Sequence, residues 1–271
     1  KIDLHSHTTR SDGTFTPTEL VEEAARRQVD VLALTDHDTV MGLPEARAAG
    51  SRLKVRVLTG VELSCRDPAG EVHVLGFFPG DPPPHFLELL KKQQIQRRVR
   101  ADEMIRRAQT HGMAITWKDL EAGGAGPGNV GRPHVARALM AKGYVPTFHA
   151  AFRQWLGPEK PLYVKHEAPL PEDGVRAIRE AGGVPVVAHP GHVKDPATLD
   201  RMVAAGLLGM EIHHPDHDAA KLARFSLYAT EKALIRTGGS DFHGAHGKRT
   251  ARLGDLPTPP DQLARIEAAW R

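Results

Sequence analysis

Histidine and carboxylate side chains follow the apolar segments of this chain. The sequence has 16 histidines, and many of them lie beside Asp, Gly or Pro at the ends of apolar runs. Imidazole nitrogens and carboxylate oxygens together suit Zn²⁺, Mn²⁺ or Fe²⁺. The pattern therefore predicts a site for divalent transition-metal ions. The strand-end residues are His5, His7, Asp36, His37, Glu62, His73, His189, Glu211, His213, His214, Asp241 and His243.

Each of these residues has an ordinary alternative role when it is considered alone. His5 and His7 share one face of a strand, but a single His-x-His pair is a weak signal. Glu62 could be an ion-pair partner inside a barrel, and Asp241 could cap a following helix. At least six predicted strand ends carry His, Asp or Glu. This recurrence favours one shared site over unrelated roles.

Strands and helices that alternate along the chain must bring these residues together. A capping box at Thr16 and Glu19, with Pro17 between them, predicts a helix that ends near Arg27. The alternation predicts a parallel sheet, and the length of 271 residues suits an α/β barrel. Loops at the carboxyl ends of barrel strands converge on one face, which is the predicted active site. Strands are predicted at Lys1–His7, Val31–Thr35, Val55–Leu63, Val72–Phe78, Val184–Ala188, Leu208–Ile212 and Leu234–Gly238, and further helices at Pro44–Ala49, Glu172–Ala181, Pro196–Ala205 and Ala219–Ala233.

The alternation is interrupted by a mostly helical stretch. It starts at Pro82-Pro83-Pro84 and is predicted to contain a long helix at about His85–His111 and shorter ones at Pro133–Lys142 and Thr147–Leu156. We therefore expect a barrel from residues 1–81 and 172–271, with a helical cap or substrate domain inserted at 82–171. Seven basic residues in the long helix predict a solvated face that could also favour an anionic ligand. They are Lys91, Lys92, Arg97, Arg98, Arg100, Arg106 and Arg107.

Five short motifs of the sequence resemble those of the PHP (polymerase and histidinol phosphatase) domain superfamily. The resemblance covers Lys1 to about Pro79 and about Val184 to Gly247. It implies a distorted (β/α)7 barrel with a trinuclear metal site. The motifs are Asp3-Leu-His-Ser-His-Thr8 with Ser11-Asp-Gly13, Thr35-Asp-His-Asp38, Gly60-Val-Glu-Leu-Ser64, Ala188-His-Pro-Gly191 and Gly239-Ser-Asp-Phe-His243.

The resemblance also implies which residues hold the ions. One site would use His5, His7, Glu62 and Asp241. A second would use Glu62 as a bridge with His73 and His189, with His134 as the main rival for a place in it. A third would use Asp12, His37 and His243. We expect two to three ions, Mn²⁺ before Fe²⁺ or Zn²⁺.

The inserted stretch is similar to one branch of the superfamily. Gly131-Arg-Pro-His-Val-Ala-Arg137 resembles the phosphatases that remove the 3′-phosphate of nucleoside 3′,5′-bisphosphates, whose relatives also act as 5′-to-3′ exonucleases on short oligonucleotides. The segment Gly126–Gly131, the Arg132 guanidinium and Pro133 at a helix start would together suit a phosphate. The alternative is a hinge before a helix. His134 could contact the substrate or a metal ion, or pack against the barrel rim.

We therefore expect hydrolysis of a phosphate ester by a metal-bound hydroxide. Asp12, His189 and Asp241 are the candidate catalytic residues, and the proton for the leaving oxygen would come from a metal-bound water or from an acid such as His189 or Asp12. Arg10 and Arg66 are candidate phosphate contacts, or else plain surface residues. The alternatives are a histidinol-phosphatase-like monoester phosphatase and a non-catalytic PHP module. His192, His217 and His246 join His213 and His214 as rim residues with possible supporting or substrate roles.

Composition limits the setting. The 36 Lys and Arg against 33 Asp and Glu leave a net charge of +3, so net charge does not predict non-specific nucleic-acid binding. A single cysteine, Cys65, fits a reducing compartment. The sequence contains no apolar run of the roughly 20 residues that a transmembrane helix needs. We expect a cytoplasmic enzyme with no membrane contact and no obligate protein partner.

Overall fold

The computed structural model describes residues 1–126, 129–244 and 251–270, and within them the strands form one seven-stranded sheet. Neighbours in the sheet are neighbours in the sequence, in the order β1 to β7. The amide of Leu4 donates to Gly238 O at 3.3 Å and that of His7 to Phe242 O at 2.9 Å, which brings the first and last strands together. The sheet is therefore a nearly closed, distorted barrel, as the sequence predicts. The strands are β1 (Ile2–Asp3), β2 (Val31–Leu34), β3 (Arg56–Asp67), β4 (Gly70–Phe78), β5 (Val184–Val187), β6 (Gly209–His213) and β7 (Ile235–Gly238).

The prediction of a wholly parallel sheet is wrong at β4. This strand pairs antiparallel with both β3 and β5. Only Pro68 and Ala69 separate β3 from β4, and so short a connection joins antiparallel strands but cannot cross over between parallel ones. His73 consequently lies near the start of β4, beside Ser64 of β3. Because β4 runs backwards, its start lies at the same rim as the carboxyl ends of the parallel strands.

Helices cover the outside of the barrel. The predicted capping box is present, with Thr16 as N-cap and Glu19 as its partner, and it starts the first helix at Pro17. Leu20, Val21 and Ala24 of that helix are buried in one apolar cluster with β2. The helices are α1 (Pro17–Arg26), α2 (Leu43–Leu53), α3 (Pro84–Thr110), α4 (Trp117–Ala122), α5 (Arg132–Ala141), α6 (Phe148–Ala151), α7 (Pro171–Glu180), α8 (Ala197–Ala204), α9 (Ala219–Glu231) and α10 (Pro260–Ala268), with a π-helical turn at Phe152–Leu156 and a 3₁₀ turn at Pro190–His192.

The helical stretch has an apolar cluster of its own. Met104, Ile115, Leu139 and Leu156 are fully buried within it, and the cluster runs from Ala101 to Leu162. The first half of α3 belongs elsewhere, because its Phe86 and Leu90 pack in a cluster with barrel residues such as Phe78. One long helix thus enters both clusters and links the barrel rim to the helices above it. No helix in the described residues combines the length and apolar composition of a transmembrane span.

Candidate metal centre

Three imidazoles from two parts of the chain surround one oxygen of the Glu62 carboxylate. Nε2 of His5 and Nε2 of His7 each lie 3.1 Å from Glu62 Oε2. Nδ1 of His37 lies 3.2 Å from the same oxygen. Glu62 itself stands in the middle of β3 and is almost fully buried. The loops after β1 and β2 therefore meet at a carboxylate presented by the third strand.

The other oxygen of Glu62 receives two further histidines. Nδ1 of His73 lies 2.7 Å from Oε1, and Nε2 of His189 lies 2.9 Å from it. His73 comes from the antiparallel strand and His189 from the end of β5. The bridging position that the family resemblance implies for Glu62 is thus geometrically available.

Two aspartates complete the arrangement. Asp241 Oδ1 lies 3.3 Å from His5 Nε2 and 3.1 Å from His7 Nε2. Asp12 Oδ1 lies 3.2 Å from His243 Nε2 and 3.9 Å from His37 Nε2. We call the nine residues that meet here the histidine cluster: His5, His7, Asp12, His37, Glu62, His73, His189, Asp241 and His243.

Three subsets of the described residues bring their ligand atoms within 4.8 Å of one another. The first is the set implied for one ion. The second contains all members implied for the third ion and adds His7. The third shares Glu62 and His73 with the remaining implied set but has His37 in place of His189. The subsets are His5, His7, Glu62 and Asp241; His7, Asp12, His37 and His243; and His37, Glu62 and His73.

Several buried atoms of the histidine cluster have no hydrogen-bond partner among the described residues. They include Nε2 of His7, Nδ1 of His37 and Oδ1 of Asp12. Each lies within 3.2 Å of a neighbouring nitrogen or oxygen atom, but without hydrogen-bond geometry. Lone pairs that converge on a common point are satisfied by a shared cation, and such buried groups otherwise carry a large desolvation penalty. The residues present therefore fit divalent ions.

Electrostatics support the same interpretation. Burial raises the pKa of the Glu62 carboxyl, but the surrounding imidazoles, first His37 and then His5, outweigh burial and hold the pKa well below its ordinary value. Burial lowers the pKa of His5, whereas Glu211 and Glu62 raise it to about 10. Glu62 is thus ionised, and each positive charge placed beside it is stabilised.

Two predicted strand-end carboxylates position the cluster and do not join it. Glu211 accepts a hydrogen bond from Nδ1 of His5 at 2.9 Å and another from the backbone N–H of His189 at 2.7 Å. Asp36 accepts from the N–H and the hydroxyl of Thr8, both at 2.7 Å, and from the Ser11 hydroxyl at 2.6 Å. Glu211 therefore orients two histidines, and Asp36 fixes the loop that carries His7 and Asp12.

The backbone is left-handed at three positions of the site. His189 has φ of 29°, Asp241 of 47° and Asp38 of 53°. Non-glycine residues adopt positive φ rarely and at a cost, usually where surrounding structure enforces it. At the ends of β5 and β7 this turn directs His189 and Asp241 back towards Glu62. The strand ends are therefore shaped for the cluster.

A cavity of about 550 Å³ opens over the histidine cluster. Its wall also includes Glu71 and three arginines, Arg66, Arg100 and Arg132. Arg100 NH2 lies 3.0 Å from Glu71 Oε1, and Arg132 is paired with Oε2. We call these four residues the arginine cluster. Arg10 does not line this cavity and pairs with Glu45 at 3.0 Å, which does not favour the predicted phosphate contact.

Several solved and curated proteins are similar to this chain. The family described as PHP domain matches residues 3–99. A 3′,5′-nucleoside bisphosphate phosphatase from Chromobacterium violaceum is 37% identical, over 94% of this chain and 92% of the relative. The chain belongs to the PHP-domain family. A 5′-3′ exoribonuclease from Haemophilus influenzae is 34% identical over 90% of each chain. A solved structure from Bifidobacterium adolescentis, described as a candidate metal-dependent phosphoesterase, has a TM-score of 0.92 and 32% identity, covering 99% of this chain and 96% of that one.

Other predicted residues of this PHP protein lie outside the histidine cluster. His134 is buried on α5, where its Nδ1 accepts from Gly131 N at 3.1 Å, and it joins none of the three ligand subsets. Burial and then the Arg137 charge lower its pKa to about 4. His214 lies 3.3 Å from Asp241 Oδ2 and His192 2.9 Å from Asp216. Of the predicted positions, Pro127, Gly128 and His246 lie outside the described residues.

Sequence reasoning missed the cavity residues that the long helix supplies to this PHP protein. The prediction of a solvated basic face is wrong for Arg97 and Arg100, which are buried. Arg97 Nε donates to Asp38 Oδ2 and its NH2 to Ser64 Oγ, both at 2.6 Å. The signal was available, because Gln93, Arg97, Arg100 and Met104 recur at spacings of three and four residues, which is one face of a helix. Glu71 carried no comparable signal, since its partners are distant in the sequence.

Proposed function

We propose that this protein is a metal-dependent phosphoesterase that removes the 3′-phosphate of nucleoside 3′,5′-bisphosphates. The histidine cluster would hold the ions, two to three in number and Mn²⁺ first. The helical stretch at 82–171 would act as the cap that recognises the rest of the substrate. A reducing, cytoplasmic setting belongs to the same proposal, because the single cysteine, Cys65, is a buried free thiol.

One observation supports this proposal above all. The histidine cluster, which suits cations, and the arginine cluster, which suits anions, line the same cavity, and strand β4 sets the distance between them. His73 of the histidine cluster and Glu71 of the arginine cluster are two residues apart on β4, so they lie on the same face and about 7 Å apart along the strand. A substrate with one phosphate at the ions and another at the arginines must carry its two phosphates close together. A single nucleoside with 3′ and 5′ phosphates meets that requirement.

The residues of the histidine cluster would have separate roles, which follow from their chemistry. Divalent ions bound here would neutralise the phosphoryl oxygens and lower the pKa of a water molecule. Glu62, Asp12 and Asp241 would fix the positions of the ions. Glu211 orients His5 and His189 towards Glu62 through its two hydrogen bonds. His189 and Asp12 face the cavity as ligands of the ions, so a water molecule in the cavity would carry the proton that the leaving alkoxide needs.

Arg132 would bind the phosphate that is not cleaved. It stands at the first position of α5, its guanidinium lies over the rings of Phe152 and Tyr163 at 5.7 and 5.9 Å, and it is only partly exposed. Arg66 supports this role, because its NH1 donates to Tyr163 at 3.1 Å and its Nε is buried without a hydrogen-bond partner in the described residues. Planar guanidinium groups bind phosphate in a bidentate manner.

A second candidate is a 5′-to-3′ exonuclease acting on short oligonucleotides. It is favoured by the relative named as an exoribonuclease and by an exposed basic path on α3. Lys91, Lys92, Arg98 and Arg106 are exposed there, and Arg98 lies 4.6 Å from the ring of Trp117. Basic residues with an aromatic ring nearby suit single-stranded nucleic acid.

A hydrolysis screen with Mn²⁺ tests the proposal, with released phosphate measured for the monoesters and released nucleoside 5′-monophosphate measured for the RNA. Four substrates are compared: adenosine 3′,5′-bisphosphate, 5′-AMP, histidinol phosphate and a short 5′-phosphorylated RNA. We expect the bisphosphate to give the highest kcat/KM and chelator treatment to abolish release. Preference for RNA would favour the exonuclease, and preference for histidinol phosphate would overturn the nucleotide assignment. Absence of hydrolysis for all four with metal-loaded protein would support a non-catalytic PHP module.

A further inference from the structure

The arginine cluster contains a carboxylate where a phosphate is expected. Glu71 stands at the second position of β4, directly opposite Arg66 of β3 in the antiparallel register. It spans Arg100 of α3 at 3.0 Å and Arg132 of α5. Three elements therefore meet on one acidic side chain. Two arginines that share a single oxyanion group offer the geometry in which guanidinium groups bind phosphate.

The cluster keeps an excess of positive charge. Two guanidinium groups, those of Arg100 and Arg132, pair with one carboxylate, and the Arg66 and Lys194 side chains line the same cavity. Burial raises the pKa of Glu71, but Arg132 and then Arg100 outweigh it and hold the pKa well below its ordinary value. Because it pairs with two arginines, Glu71 is an anion. Its charge neutralises one arginine and leaves the others to attract a ligand of higher charge.

The two partners of Glu71 differ in how firmly they are held. Arg100 is buried and also donates through Nε to Val164 O at 2.8 Å, so its position is fixed from two sides. Burial lowers the pKa of Arg100 to about 10, although Glu71 opposes this shift. Arg132 is more exposed, and Glu71 is the acidic partner that the structure gives it. An anion that enters the cavity competes most readily for Arg132.

We propose that Glu71 is an exchangeable counter-ion of the second-phosphate site, which a nucleotide phosphate must displace from Arg132. This inference rests on the proposed function, because it assumes that the uncleaved phosphate lies at the arginine cluster. Glu71 holds Arg132 in place while the site is empty and weakens the binding of the 5′-phosphate that replaces it. The pair therefore sets nucleotide affinity and favours release of the nucleoside 5′-phosphate product.

Calorimetric titration of the metal-loaded protein with 5′-AMP tests this role. Replacing Glu71 with Gln keeps the shape and removes the charge, so we expect the dissociation constant to fall by about ten-fold, the equivalent of one charged contact. Arg132→Ala should raise the constant, and Glu71→Gln should give no gain in that background. Glu45→Gln is the matched control, because Glu45 pairs with Arg10 outside this cavity, and it should change nothing.

Each other outcome has a distinct meaning. Weaker binding in Glu71→Gln would show that Glu71 only aligns the arginines. Unchanged binding in Glu71→Gln, together with weaker binding in Arg132→Ala, would show that Glu71 does not compete with the phosphate. Either result overturns the inference and leaves the proposed function standing. Unchanged binding in Arg132→Ala would show that the uncleaved phosphate does not lie at the arginine cluster. That result would overturn both the inference about Glu71 and the proposed function. If Glu71→Gln does not fold, Glu71→Asp serves instead, since its shorter carboxylate cannot span both arginines and should tighten binding by a smaller factor.

Discussion

The histidine cluster and the arginine cluster share a cavity but are built in opposite ways. The first consists of barrel residues from strands and the loops that follow them, with Glu62 at its centre and imidazoles on both of its oxygens. The second draws Arg100 and Arg132 from the helical stretch onto one strand residue, Glu71. One cluster suits cations and the other suits anions. Under the proposed function, the barrel would supply the chemistry and the helices would contribute two of the arginines that recognise the second phosphate.

The largest expected effect comes from the centre of the histidine cluster. Glu62→Gln removes the carboxylate shared by five histidines, and we expect loss of at least one ion and several kcal/mol of transition-state stabilisation, or roughly a thousand-fold in kcat. Metal analysis and phosphate release measure both. The matched variant is Glu211→Gln, whose side chain touches His5 without joining a ligand subset, and it should cost only about ten- to hundred-fold. An unchanged metal content in folded Glu62→Gln would refute the bridging role.

The next effect concerns a contact that joins the helical stretch to the barrel. Arg97 of α3 forms a buried pair with Asp38, the residue after His37. Arg97→Met leaves that carboxylate buried without its partner, which typically costs about 3–5 kcal/mol in the free energy of unfolding. Urea denaturation measures the loss, and Asp38→Asn in the same chain should recover part of it. If Arg97→Met unfolds at the wild-type urea concentration, the helical stretch is anchored to the barrel by other contacts.

A smaller effect distinguishes recognition from chemistry. Arg132→Ala should lower kcat/KM for a nucleoside 3′,5′-bisphosphate by about ten- to hundred-fold, since a charged arginine–phosphate contact is worth roughly 1.5–3 kcal/mol. It should spare p-nitrophenyl phosphate, which has no second phosphate. Equal losses of kcat/KM on both substrates would show that Arg132 acts on the reacting phosphate. No loss on either would favour the hinge interpretation of Gly126–Gly131.

The two regions also differ in how far the sequence predicts them. Ligand-type residues at successive strand ends are visible in the chain because a barrel brings carboxyl ends together whatever the details of packing. The helix starts at Pro17 and Pro171 were visible for local reasons, within one or two residues. The direction of β4 was missed, because two residues at a turn decide it and the periodicity of a strand does not reveal its direction.

The arginine cluster could not be predicted in the same way. Its contacts depend on the angle at which α3 crosses the barrel rim and on the placement of α5, and neither is encoded in local patterns. Arg97 and Arg100 lie on the helix face that Phe86 and Leu90 bury, so the apolar stripe indicated their burial, but not that Asp38 and Glu71 would meet them. Long-range ion pairs are specified by tertiary packing.

The smallest effect is a pH dependence located between the two clusters. His166 is buried, and burial followed by the Arg97 charge lowers its pKa to about 3. An unfolded histidine has a pKa of about 6.5. Below that pH the unfolded chain therefore binds a proton at this histidine, whereas the folded chain does not. Stability from this residue is therefore complete above pH 6.5 and falls as the pH decreases towards 3, by about 2 kcal/mol at pH 5.

Removing this histidine should make the protein less sensitive to acid. We expect His166→Gln to narrow the difference between the unfolding free energies at pH 7.5 and pH 5 by up to about 2 kcal/mol, whatever it does to stability at pH 7.5. Urea denaturation at the two pH values measures the difference. The exposed His85, replaced in the same way, should leave that difference unchanged. If His166→Gln and His85→Gln behave alike, acid sensitivity arises at other buried histidines, such as His134 or those of the histidine cluster, where protons compete with the metal ions for the same nitrogen atoms.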